Sequence, residues 1–137
     1  MVDKTVLANK IASVRDAVAR IRAVLPPDVE SFEADRTVRE VVVLNLFVAL
    51  QECVALAAHR LADSGAGVPA GYRELFLALA QDGVLDASLA QRLAAASGLR
   101  NLVAHQDGVL QWNRIYEIAS SHLDDLLSYC EALASEK

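Results

Sequence analysis

The sequence predicts an all-α protein, an up-and-down bundle of four to five helices. Three observations carry that prediction. Of the 137 residues, 54% are hydrophobic and only 5% aromatic, with Ala, Leu and Val dominant; small and branched aliphatics of this kind fill helical bundles. The apolar residues recur at steps of three and four, the period of a helix buried along one face. The segments they mark are joined by short connections bearing proline or glycine, which makes neighbours in sequence antiparallel neighbours in space. The length suits one domain spanning residues 1–137.

The first helix is marked by Leu7, Ile11, Val14, Val18, Ile21 and Leu25, and Pro26–Pro27 ends it because proline cannot continue the backbone ladder. The second runs from about Ser31 to Ala62. Its centre, "VVVLNLFV", could pass for a strand, since β-branched residues favour strands. The flanks "EADRTVRE" and "QECVALAAHRLAD" hold no breaker, so the whole reads as one long helix with a buried centre. Asn45 in that centre needs a hydrogen-bond partner. "SGAGVPAG" is a loop. A short helix follows from about Tyr72 to Gln81, with Leu75, Phe76 and Leu79 inward and Gly83 as its stop. Asp86 is the N-cap of a fourth helix, which carries Leu89, Leu93, Ala96 and Leu99 into the stretch "GLRNLVAHQDG" at 98–108. After the turn "QDG", the last helix starts near Gln111 and directs Trp112, Ile115, Ile118, Leu123, Leu126 and Leu133 at the core. There are no repeats and no low-complexity tract.

The net charge is −5. A non-specific nucleic-acid binder is normally basic, so any role on RNA requires a local cationic cleft. Cys53 and Cys130 stand in apolar helical surroundings at a spacing that suits no zinc site, and read as buried free thiols of a reducing cytoplasm. The N-terminus lacks a secretory pattern, and the longest apolar run, "VVVLNLFVAL", is about half a membrane span. The expectation is a soluble, cytoplasmic protein with no membrane contact, no metal and no cofactor.

The chemistry concentrates in "GLRNLVAHQDG". On a helix Asn101 and His105 share a face, and Arg100, one step round, reaches the same place with its long side chain. A His at a helix end titrates near neutrality and moves protons, and an Arg offers a planar fork that suits phosphate. Those groups suffice for metal-free RNA cleavage: a base takes the ribose 2′-hydroxyl proton, the oxygen attacks the adjacent phosphorus, and the Arg stabilises the developing charge. The same residues equally suit a helix C-terminus, where cations interact favourably with the dipole and the last carbonyls. Spacing alone favours this structural reading.

Other polar residues read as structural. His59 is a packed or capping histidine and His122 a helix-face residue, while Trp112 is core. Arg36, Arg39 and Arg114 are candidates for RNA contact but read first as solvated helix-face charges. Neither cysteine has the basic or helix-start setting that activates a thiol.

The blocks "SFEADRTVRE", "LQECVALAAHRLADSG", "PAGYRELFLALAQDGVLDASLAQRLAAASGLRNLVAH" and "WNRIYEIA" resemble the HepT toxins of the HEPN superfamily in order and spacing over nearly the whole chain. "GLRN-x3-H" is the most specific of them and resembles the R-x4-6-H signature of HEPN ribonucleases. The resemblance implies an α-helical homodimer that brings two motifs into one interface cleft and cleaves RNA without a metal. It implies a toxin–antitoxin module whose partner is an MntA-like nucleotidyltransferase antitoxin. It assigns Arg100 and His105 as the catalytic pair, with Asn101 as the adjacent supporting residue. The family's antitoxin also adds AMP to a tyrosine two residues after the motif His. Here that position is Asp107, a second supporting residue, whose carboxylate cannot accept AMP in the same way. It orients His105, or raises its pKa, or weakens RNA binding. Acidic positions common in the family's second helix read Gln51 and Ala55 here, with Glu52 displaced by one.

Two functions follow. One is an endoribonuclease toxin. The alternative, motivated by Asp107 and the altered helix-two positions, is a catalytically weakened HEPN-type dimer that binds a nucleotidyltransferase partner or a nucleotide.

Overall fold

The computed structural model describes residues 4–65, 67–98 and 111–135. Among them it has seven helices and no strand: α1 (Lys4–Val24), α2 (Val29–Ala34), α3 (Arg36–Asp63), α4 (Tyr72–Gln81), α5 (Ala87–Ala96), α6 (Trp112–Ser121) and α7 (Leu123–Ala134). The all-α class is as expected, with two more helices because two expected ones are broken.

In α1 the expected stripe is buried through Ile11, Val14, Val18 and Ile21, joined by Ala17, with Leu7 and Leu25 half-buried at its ends. The Leu25 N–H still donates to Ile21 O at 2.9 Å, after which the prolines supply no donor.

The expected long second helix is interrupted at Asp35, which is extended (φ −111°, ψ 102°). Two N-cap aspartates cause this. The Asp28 carboxylate accepts from the Ser31 N–H at 2.7 Å and starts α2; Asp35 accepts from the Val38 N–H at 3.2 Å and starts α3. Each offers free helix-start donors a partner that competes with a continuous ladder. The Ser31 N–H also holds the Asp28 carboxyl below the usual carboxylate range. With α2 turned, Phe32 is fully buried, its ring 6.1 Å from Trp112 and 5.4 Å from Tyr116 of α6.

Helix α3 is the central element, in contact with α1, α2, α4, α6 and α7. Val42, Leu46, Ala49, Leu50, Cys53, Leu56, Ala57 and Leu61 bury one face. The expected buried centre is therefore one-sided: Leu44 is 62% and Val48 39% exposed on the other face. Half-buried Asn45 finds its partner within the helix, donating to Val41 O at 2.8 Å. By length and composition alone α3 could cross a membrane; in the bundle its apolar residues supply the middle of the core.

Helix α4 matches expectation, and α5 does so through Ala96; Leu99 and the expected continuation lie outside the described residues. Gly83 (φ +79°) closes α4 as a Schellman turn, with the Val84 N–H on Leu79 O at 2.9 Å and its own N–H on Ala80 O at 3.1 Å. Asp86 caps α5 by accepting from the Ser88 and Leu89 N–H groups at 3.1 and 3.3 Å.

The expected last helix breaks at His122 (φ −122°, ψ 7°). Asp124 and Asp125 in the first turn of α7 favour a helix start there. The break leaves the His122 imidazole between two carboxylates, Glu117 at 3.8 Å and Asp125 at 3.6 Å. His122 is thus a junction residue rather than a plain helix-face one.

Tyr129 closes the core. Its ring meets Phe76 edge-on at 5.6 Å, and its hydroxyl donates to Cys53 O at 2.7 Å, joining α7 to α3.

Candidate functional site

The Arg–His stretch lies between α5 and α6. Arg100, Asn101, His105 and Asp107 all lie outside the described residues. The elements on either side are described. The last turn of α5 is secured by buried Ser97, whose hydroxyl donates to Ala94 O at 2.6 Å and whose N–H donates to Leu93 O at 2.9 Å. The chain re-enters at Gln111, whose carbonyl accepts from the Arg114 and Ile115 N–H groups at 3.1 Å and opens α6.

Trp112 follows at once. It is half-buried, and Phe32 meets its edge. The Arg39 guanidinium carbon lies 4.8 Å from its ring centroid, a cation–π arrangement between α3 and α6. The Arg39 Nε is shielded from water and has no hydrogen-bond partner among the described residues. Of the three arginines read as solvated, Arg114 is exposed and Arg36 is an exposed partner of Glu40 at 2.8 Å, whereas Arg39 is half-buried against an aromatic ring. Sequence reasoning missed this pairing because 73 residues separate the two side chains and no local pattern joins them. Tyr116 donates to Pro26 O at 2.7 Å and so ties α6 to the end of α1.

The helix-two positions are also placed. Gln51 accepts from the Tyr72 hydroxyl at 3.3 Å, and Glu52 faces Lys10 of α1 at 3.6 Å. His59 is exposed on α3, not packed, because it lies opposite the face that buries Leu56 and Leu61. Among the described residues no cluster of His, Cys, Asp and Glu converges in metal-binding number.

Cys53 on α3 and Cys130 on α7 are both buried. Interaction with the Cys130 thiol pushes Cys53 well up, with burial adding to the effect. The same interaction holds Cys130 below its ordinary value. Burial raises the Tyr129 hydroxyl well above the usual phenol range. These groups face the core and serve packing.

A helical bundle of this order defines a class. The chain matches the Ribonuclease HepT-like family over residues 14–133 and belongs to it. Its relatives include the mRNA nuclease HepT of Shewanella oneidensis, 28% identical over 131 residues, covering 96% of this chain and 98% of that protein. Among solved structures it resembles the tri-AMPylated Shewanella oneidensis HEPN toxin in complex with the MNT antitoxin, with a TM-score of 0.89 and 29% identity over 99% of this chain and 100% of the other. A toxin–antitoxin crystal structure with AMP-PNP gives a TM-score of 0.89 and 28% identity, covering 96% of this chain and 99% of the other. The fold and family expected from the sequence blocks are both borne out.

Proposed function

We propose that the chain is the toxin of a HepT/MntA-type toxin–antitoxin module, a cytoplasmic, metal-independent endoribonuclease acting as a homodimer of one HEPN-like domain. The match to HepT-like ribonucleases over residues 14–133 carries this reading. His105 takes the proton from a ribose 2′-hydroxyl, whose oxygen attacks the adjacent phosphorus. The bond to the 5′-oxygen breaks, and that oxygen leaves with a proton from an imidazolium. Arg100 holds the phosphate and stabilises the charge that develops on it. Asn101 shapes the pocket and Asp107 orients His105. Two copies of the motif facing one cleft supply positive potential on an acidic body.

The antitoxin is a nucleotidyltransferase of the MntA type. Because Asp107 replaces the tyrosine that accepts AMP, it silences the toxin by forming a complex rather than by modifying that position. The experiment is cleavage of tRNA and mRNA in EDTA by the wild type and by His105→Ala. Loss of general acid–base chemistry lowers the rate about a hundredfold or more. Equal rates would reject the assigned role. Asp107 also motivates a second reading, a dimer that binds its partner without useful catalysis; growth arrest on expression that His105→Ala relieves would exclude it.

A further inference from the structure

We propose that Arg39, laid against Trp112 at the start of α6, is an RNA-phosphate-binding residue contributed by α3. The inference rests on the ribonuclease reading above.

The first ground is charge. Arg20, Arg22, Arg36, Arg60 and Arg92 each have a carboxylate at 2.9, 2.7, 2.8, 3.5 and 3.1 Å respectively. Arg36, one turn earlier on α3, is matched with Glu40. Arg39, like Arg15, Arg73 and Arg114, has no ion pair among the described residues; what sets it apart is the aromatic ring beside it. The second ground is geometry. The guanidinium is held 4.8 Å from the Trp112 centroid. Stacking of this kind orders the side chain while leaving its full charge for an anion, so less freedom is lost when one arrives.

The third ground is position. Trp112 opens α6, seven residues after His105 in the chain. Even fully extended, seven residues span only about 25 Å. A short single strand reaches both places, so a phosphate flanking the scissile one is the ligand this chemistry selects.

The test measures binding of a 2′-O-methyl RNA oligonucleotide, which lacks the attacking hydroxyl, by fluorescence anisotropy over a range of salt. Arg39→Gln is expected to weaken binding about tenfold and to reduce the slope of log K against log salt by about 0.7, the loss of one phosphate contact on a single strand. Arg39→Lys keeps the slope but not the full affinity, because a lysine retains the charge and loses the fork. Arg20→Gln, on α1 and paired with Asp16, leaves both unchanged. On a cleavable RNA, Arg39→Gln raises KM and leaves kcat near that of the wild type. Wild-type affinity and slope in a folded Arg39→Gln would overturn the inference while leaving the ribonuclease reading intact. A wild type that neither binds nor cleaves RNA would sink both. If Arg39→Gln does not fold, Arg39→Lys and Trp112→Phe decide, and undiminished affinity in both overturns the inference.

Discussion

Tyr129 joins two helices through one hydroxyl. Buried phenols require an acceptor, and here it is the Cys53 carbonyl, 2.7 Å away on α3. That carbonyl also belongs to the α3 ladder, so deleting the hydroxyl orphans no group outright. Tyr129→Phe is therefore expected to lower stability by about 1 kcal/mol, toward the low end for a buried hydrogen bond. Urea denaturation checks this, and an unchanged midpoint would show that the bond contributes nothing net. At this scale the sequence was legible where polarity alone decides. Asn45 needed a partner and has one in Val41. His59, His122 and Arg39 were not legible, because their roles depend on what stands opposite each: solvent for His59, two carboxylates for His122, an indole for Arg39.

Helix ends follow the same division. Pro26, Gly83 and Asp86 act on backbone groups within a turn of themselves, and each was readable before any fold was known. The breaks at Asp35 and His122 interrupt stretches whose apolar period runs on across them, so periodicity hides them. The local clue at Asp35 was a good capping residue inside a helical pattern. Asp86→Ala removes the acceptor of two backbone donors at the start of α5, and is expected to cost about 1 kcal/mol. A fall in the thermal midpoint would register it; Asp86→Ser, which keeps a capping oxygen, should restore most of it. Asp28 adds a pH dependence at α2. Its carboxyl is lowered on folding, so its contribution is complete above the ordinary carboxylate value and disappears as pH falls through the lowered one.

At the scale of the whole molecule, the seven helices of the described residues, five of them packed on α3, form the all-α bundle that composition and period predicted. The Arg100–His105 pair was legible from the surrounding family blocks rather than from its own spacing, which a helix C-terminus explains as well. Arg39 and Trp112 could be joined only by the fold, through the meeting of α2, α3 and α6. The proposed mechanism needs two motifs in one cleft, so sedimentation is expected to give the mass of two chains at concentrations where RNA is cleaved. Cleavage by a protein that remains a single chain throughout would refute the shared-cleft arrangement.

The burial of both Cys53 and Cys130 has a practical consequence. A maleimide in solvent meets neither sulfur while α3 and α7 stay closed over them, so each alkylation event records their separation. The bundle thus carries its own clock for breathing, with no dye attached, and a ligand that tightens the helices would slow it in proportion.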